Sequence, residues 1–99
     1  MYKVSLLLTT YNSAENLPVT LQSIQEQTYS PIEVVIADGG STDDTISLIQ
    51  QFARNGGLEV KWVSERDKGL YDAMNKAFCL STGDIIAVCN DRLSEKDAV

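Results

Sequence analysis

Four apolar runs of strand length alternate along this chain with three segments of helical period, and that alternation leaves few folds open. Val4 to Leu8 is apolar except at Ser5, Ile32 to Ala37 forms a second run, and Ile85 to Cys89 a fourth. The third, Leu58 to Val63, alternates through Glu59 and Lys61. Runs that are apolar on both sides suit strands covered by helices on both faces, whereas the alternating run suits an edge or a partly solvated position. Between the runs, Leu17, Leu21 and Ile24 share one helical face, Ile46, Ile49, Phe52 and Ala53 a second, and Leu70, Ala73, Met74, Ala77 and Leu80 a third. The pattern predicts βαβαβαβ: a Rossmann-like α/β fold of three layers, with a mainly parallel sheet and right-handed crossovers.

Boundary residues agree with this division. Pro18 fits the first turn of a helix beginning near Asn16, where amides lack intrahelical partners. Ser41 with Asp44 reads as a capping box opening the second helix, and Gly56-Gly57 closes it. Lys68-Gly69 opens the third helix and Thr82-Gly83 ends it. Leu93 to Val99 reads as the start of a further element.

With 99 residues, 43% of them hydrophobic, the chain has material for one core, so residues 1–99 are read as one domain. A net charge of −6 argues against a nucleic-acid or anionic-membrane surface, and a phosphate ligand would need a metal ion or backbone amides. Cys79 and Cys89 lack metal-ligand spacing, there is no histidine to complete a zinc set, and buried reduced thiols are expected. No signal peptide or membrane-spanning stretch is apparent, so a soluble cytoplasmic protein is the expectation.

Polar patches sit where the apolar runs end, and in an open parallel sheet those ends converge on the rim where ligands bind. Thr9-Thr10-Tyr11-Asn12 leaves the first run. An aromatic ring there offers a base a stacking surface worth about 1–3 kcal/mol, although Tyr11 capping the core edge and Asn12 starting a turn explain the same residues. Asp38, followed by Gly39 and Gly40, is placed to accept a hydrogen bond from a base imide or a ribose hydroxyl, and the glycines permit close approach of a ligand. Asp38 to Asp43 also reads as an ordinary capped turn. Asp67-Lys68-Gly69 stands where the third helix begins, and Lys68 with the first amides of that helix is a candidate phosphate contact beside the plainer reading of a capped helix. Asp91, after the fourth run, is the candidate ligand for Mg2+ or Mn2+.

Together these patches resemble the nucleotide-binding, N-terminal part of glycosyltransferase family 2, of the GT-A fold. The resemblance rests on Ser5 to Leu17, Gln27-Thr28-Tyr29, Ile32 to Thr45, and Asp67 to Asn75 followed by Thr82-Gly83-Asp84-Ile85-Ile86. It implies a strand order of 3-2-1-4 and transfer of a sugar, with inversion, from a nucleotide-diphosphate sugar to an acceptor hydroxyl. It implies that Thr9, Tyr11, Asn12 and Glu15 lie along the nucleotide, that Asp38 holds the base, usually uracil, and that Asp67 and Gly69 lie near the ribose and diphosphate. The wording around Lys68 to Lys76 is similar to bacterial members that build surface polysaccharides of the colanic acid or O-antigen type. That similarity implies a UDP-sugar donor, a saccharide or lipid-linked saccharide acceptor, and a peripheral position at the inner membrane face for a longer protein.

Two departures from the family pattern stand out. Members usually carry paired aspartates after the fourth strand, whereas this chain reads Cys89-Asn90-Asp91-Arg92-Leu93, so a divalent metal site is incomplete. The acceptor-binding half and the general base have no counterpart here, so catalytic residues are unassigned and little turnover by the chain alone is expected. A non-catalytic nucleotide-sugar module or an interaction module that self-associates through an exposed sheet edge would use the same residues. A phosphoacceptor receiver domain would need an acidic pair after the first strand, which Leu8-Thr9-Thr10 does not supply.

Overall fold

The computed structural model describes residues 2–27, 29–55 and 57–91, with Asn90 and Asp91 described by their backbone only. The strands are β1 (Val4–Thr10), β2 (Ile32–Asp38), β3 (Glu59–Ser64) and β4 (Ile85–Asp91), and the helices α1 (Leu17–Glu26), α2 (Thr45–Asn55) and α3 (Leu70–Leu80), in the expected alternation. The sheet runs β3-β2-β1-β4, the predicted order, and every pairing is parallel. Thr10 lies between Asp38 and Asp91 in the register, so the carboxyl ends of β1, β2 and β4 are level at one rim.

Alternation along the strands sends side chains into two cores. Leu8, Val34 and Ile36 meet Leu17, Leu21 and Ile24 of α1 and Ile49 and Phe52 of α2 on one face. Leu7, Val35 and Ala37 meet Ala73 and Ala77 of α3 on the other. The small residues of α3 let its backbone lie close to the sheet, which is why its predicted stripe narrows. Ala73 and Ala77 are buried, whereas Leu80 remains 40% exposed.

The helix starts differ from expectation in one informative way. Pro18 does occupy the first turn of α1. At α2, however, the capping box is not formed: Ser41 Oγ donates to Asp38 instead, and Asp43 Oδ1 takes the amide of Thr45 at 2.9 Å and its hydroxyl at 2.5 Å. The Ser41 hydroxyl donates to the buried Asp38 carboxylate, and its oxygen accepts the amide of Asn12 from the neighbouring turn in place of a helix amide. Gly56, Arg92 and Leu93 to Val99 fall outside the described residues.

The amino end of the sheet is closed by a buried carboxylate. Glu33 accepts from Ser5 Oγ at 2.5 Å and from the Thr82 amide at 2.6 Å, and pairs with Lys61 at 2.9 Å and Lys3 at 3.5 Å. Gly83 is glycine because of this closure: a Cβ there would press on the backbone of Lys3 and Ser5, each 2.8 Å away. Its amide donates to Ser5 Oγ at 2.7 Å, so the turn before β4 lies directly on β1.

β4 departs from the prediction of a strand covered on both faces. Ile85, Ile86 and Val88 are 46%, 37% and 50% exposed, and β1 is its only strand neighbour among the described residues. The thiols depart too: Cys79 is exposed and Cys89 half-buried, neither in a disulfide. No helix among the described residues is long and apolar enough to cross a membrane.

Candidate functional site

At the carboxyl ends of β1, β2 and β3 the chain turns three times toward a helix, and the three turns are tied to one another. The Asn12 amide donates to Ser41 Oγ at 2.8 Å, and Asn12 Oδ1 accepts the Thr42 amide at 2.8 Å. Ser13 and Ala14 donate their amides to Thr45 Oγ1 and Asp43 Oδ2 at 2.8 and 3.2 Å. Asn12 has φ +46°, a left-handed conformation that asparagine tolerates better than most residues, and it aims the side chain across to the next loop.

Beneath these turns lies Asp38, 2% exposed. Its Oδ1 accepts from Thr10 Oγ1 and Ser41 Oγ, both at 2.6 Å. Its Oδ2 accepts the amides of Gly40 and Ser41 at 3.0 and 2.8 Å and Ser64 Oγ at 2.8 Å. Burial alone would raise its pKa, yet the bonds from the Ser41 hydroxyl and amide, Thr10 and Ser64 outweigh it, so Asp38 is held ionised, below its ordinary value.

Above Asp38 the turns enclose an open cleft of about 470 Å3, lined by Tyr11, Gly39, Gly40, Thr42, Arg66, Asp67 and Gly69. Gly40 has φ +88°, and a Cβ on it would stand 3.4 Å from the Arg66 amide nitrogen, so its lack of a side chain lets the second and third turns approach. Asp67 Oδ1 accepts the Gly69 amide at 3.0 Å, and Asp72 accepts the Lys68 amide at 2.9 Å. Lys76 braces the turn from below, donating to the Arg66 carbonyl at 3.2 Å and pairing with Glu65 at 3.1 Å. Its pKa is raised, chiefly by the bond to Glu65. Arg66 itself makes no ion pair or side-chain hydrogen bond among the described residues. The cleft thus combines an aromatic side chain, a glycine floor and an unpaired guanidinium, a set suited to a flat ring joined to a phosphate group.

The nominated residues divide into three groups. Tyr11, Asp67 and Gly69 line the cleft, and Asn12 shapes it from the side. Thr9 and Asp38 lie in the sheet beneath it, buried, and Glu15 is an exposed residue outside the lining. Asp91 stands opposite Thr10 in the register, but its side chain lies outside the described ones. Two expectations need correction. The loop amides ahead of α3 are taken, those of Lys68 and Gly69 by Asp72 and Asp67, so any phosphate contact there is left to the amides of the helix's own first turn. The cation of the lining is Arg66, not Lys68. Sequence reading passed over Arg66 because it sits in a run of alternating charges, and the one signal for it was its position in the turn that follows the third apolar run, three residues after Val63.

A metal centre is not assembled by the described residues. Among them, no group of three or more His, Cys, Asp or Glu side chains is placed to hold an ion. Asp38 has spent its oxygens on protein donors and Asp67 Oδ1 accepts the Gly69 amide, so these two carboxylates alone do not make a divalent-cation site.

Comparison with known proteins agrees with the geometry. The chain is 39% identical over 97 residues to a PGL/p-HBAD biosynthesis glycosyltransferase of Mycobacterium tuberculosis, covering 96% of this chain and 38% of that protein. It is 35% identical to a chondroitin synthase of Escherichia coli, covering 97% of this chain and 14% of the synthase. The chain therefore spans well under half the length of these relatives. Among solved structures, a mannosyltransferase from Pyrobaculum calidifontis in complex with GDP-Man and Mn2+ superposes with a TM-score of 0.84 at 33% identity, over 91% of this chain and 27% of that one. S. aureus TarS in complex with UDP-GlcNAc gives 0.82 at 27%, over 97% and 30%. The family model described as glycosyl transferase family 2 matches residues 5–91, from the start of β1 to the end of β4. With the sheet order, the three linked turns and the cleft above them all inside that span, the chain belongs to glycosyltransferase family 2.

Proposed function

We propose that this chain forms the donor-nucleotide part of an inverting glycosyltransferase that takes a nucleotide-diphosphate sugar in the cleft above Asp38. The observation that carries the reading is the lining itself, in which the unpaired Arg66 guanidinium shares one cleft with Tyr11 and the Gly39-Gly40 floor. The base lies along Tyr11, the ribose near Asp67 and Gly69, and the diphosphate against Arg66. In the transfer, the bond from the sugar's anomeric carbon to the diphosphate oxygen breaks while the acceptor hydroxyl oxygen bonds to that carbon from the opposite face, its proton passing to a carboxylate base to which no described residue is assigned. Arg66 then offsets the charge that grows on the leaving diphosphate. The donor is a UDP-sugar and the acceptor a saccharide or lipid-linked saccharide of a bacterial surface polysaccharide. The place of action is the cytoplasm or the inner membrane face. A divalent cation, Mg2+ or Mn2+, belongs to the proposal through Asp91, and no step here is routed through it. Self-association at the exposed β4 edge is the oligomer contact proposed with it.

Isothermal titration of the folded chain with UDP, GDP and TDP tests the reading. UDP binding that weakens about tenfold in Arg66→Ala, the loss expected for one charge-assisted contact, supports it. Absence of binding to all three nucleotides by a chain with native circular dichroism sinks it. Repeating the titration with Mn2+ tests Asp91, through Asp91→Ala.

A further inference from the structure

We infer that Asp38 is a positioning residue that sets the width of the cleft through three loops and does not itself touch the nucleotide. This deepens the nucleotide-binding reading and rests on it.

Three observations carry the inference. First, the carboxylate is full: it accepts five hydrogen bonds from protein donors, and a carboxylate offers about four lone-pair sites. Second, it is 2% exposed and absent from the lining, where Gly39 and Gly40 stand between it and the ligand space. Third, its donors come from every turn that builds the cleft. Thr10 precedes Tyr11, Gly40 and Ser41 flank the floor and precede Thr42, and Ser64 stands two residues before Arg66. Two backbone bonds of 3.0 Å run parallel to these links, from the Gly39 amide to the Thr10 carbonyl and from the Glu65 amide to the Asp38 carbonyl. The ring, the floor and the guanidinium of the proposed site are thus held in register by one side chain.

The arrangement makes an unusual prediction for the near-isosteric variant. In Asp38→Asn the side-chain carbonyl can keep the Gly40 and Ser41 amides. The new amide group can donate to the Thr10 and Ser41 hydroxyls, which rotate to accept. A residue that holds a base imide by its charge would not be replaced so easily.

The experiment is titration of wild type, Asp38→Asn and Asp38→Ala with UDP and CDP, together with amide chemical shifts of each ligand-free protein. The inference expects Asp38→Asn to bind UDP within about threefold of wild type with an unchanged UDP-to-CDP ratio. It expects Asp38→Ala to weaken both nucleotides about tenfold or more, in proportion. In the ligand-free spectra, the Tyr11 and Arg66 amides shift in Asp38→Ala and return to near their wild-type positions in Asp38→Asn. A tenfold loss of UDP in Asp38→Asn with CDP unaffected would show direct base contact and overturn the inference. Should wild type bind neither nucleotide, the nucleotide reading fails separately. The spectra then still decide on positioning, since shifts confined to residues 38–41 overturn it.

Discussion

Glu33 and Asp38 stand at the two ends of β2, both buried and both held ionised, yet they are neutralised in different ways. At Glu33 burial works against the charge, and Ser5, the Thr82 amide and Lys61 more than compensate, with Lys3 also in reach. At Asp38 the compensation comes from hydroxyls and amides alone, with no ion pair among the described residues. Neutral dipoles can stabilise a buried charge without consuming a cation. The Glu33 end closes the sheet with its lysines, whereas at the Asp38 end the cation of the cleft lining, Arg66, has no partner among the described residues. One end is built to stay shut and the other to receive a charge.

The largest effect that would test this contrast is Glu33→Ala. It removes the acceptor of Ser5 Oγ and the Thr82 amide and one partner each of Lys3 and Lys61, which keep Glu59 and the Leu80 carbonyl. Urea denaturation is expected to show a loss of about 2–3 kcal/mol, near the lower end for a broken buried pair because both lysines are partly solvated and partnered elsewhere. Nucleotide affinity of the folded protein should not change. If it falls, the two ends are coupled and the contrast is wrong.

Gly83→Ala attacks the same end by shape instead of charge. The added methyl group meets backbone at 2.8 Å, so a loss of about 1–3 kcal/mol is expected from overpacking. A stability equal to wild type would mean that the turn before β4 is not pressed on β1.

Acid sharpens the comparison further. Both carboxylates have folded pKa values below their ordinary 4.5 and 3.8, so the stability they contribute is complete above those values. It is lost as the pH falls below them, at up to about 1.4 kcal/mol per pH unit for each group. Glu33→Gln should flatten the acid limb of the stability profile, beginning near pH 4.5. An unchanged limb would show that other carboxylates control it.

The smallest expected change in stability is that of Arg66→Ala, within about 0.5 kcal/mol by thermal melting, as for surface positions without partners. It is paired with the roughly tenfold loss of UDP affinity given above. A marked loss of stability would mean that Arg66 is spent on the fold, not kept for a ligand.

Much of this fold was legible before any coordinates. The four strands, the three helices and the order β3-β2-β1-β4 agree with the reading from apolar runs, helical spacing and family resemblance. The buried residues Leu17, Leu21 and Ile24 of α1 are those its spacing named. At α2 the stripe was right at Ile49 and Phe52, while Thr45 also proved buried because its hydroxyl joins Asp43 and the Ser13 amide. The site was legible only in part. Tyr11, Asp67 and Gly69 reach the cleft, but a strand-end aspartate that faces a ligand and one that faces its own loops look alike in one dimension. Whether Ser41 caps a helix or serves Asp38 and the Asn12 amide depends on which donors and acceptors folding brings to its hydroxyl.

The sequence by itself determined the elements, their alternation and the rim on which ligand-facing residues gather, because hydrophobic period and turn chemistry act within a few residues of each position. Only the tertiary structure decided which carboxylate is turned inward, which cation is left unpaired and why Gly83 and Gly40 must be glycine. Those outcomes depend on contacts between residues far apart in the chain, such as Ser5 with Glu33 and Ser64 with Asp38, where distance and burial select among partners that local sequence cannot rank.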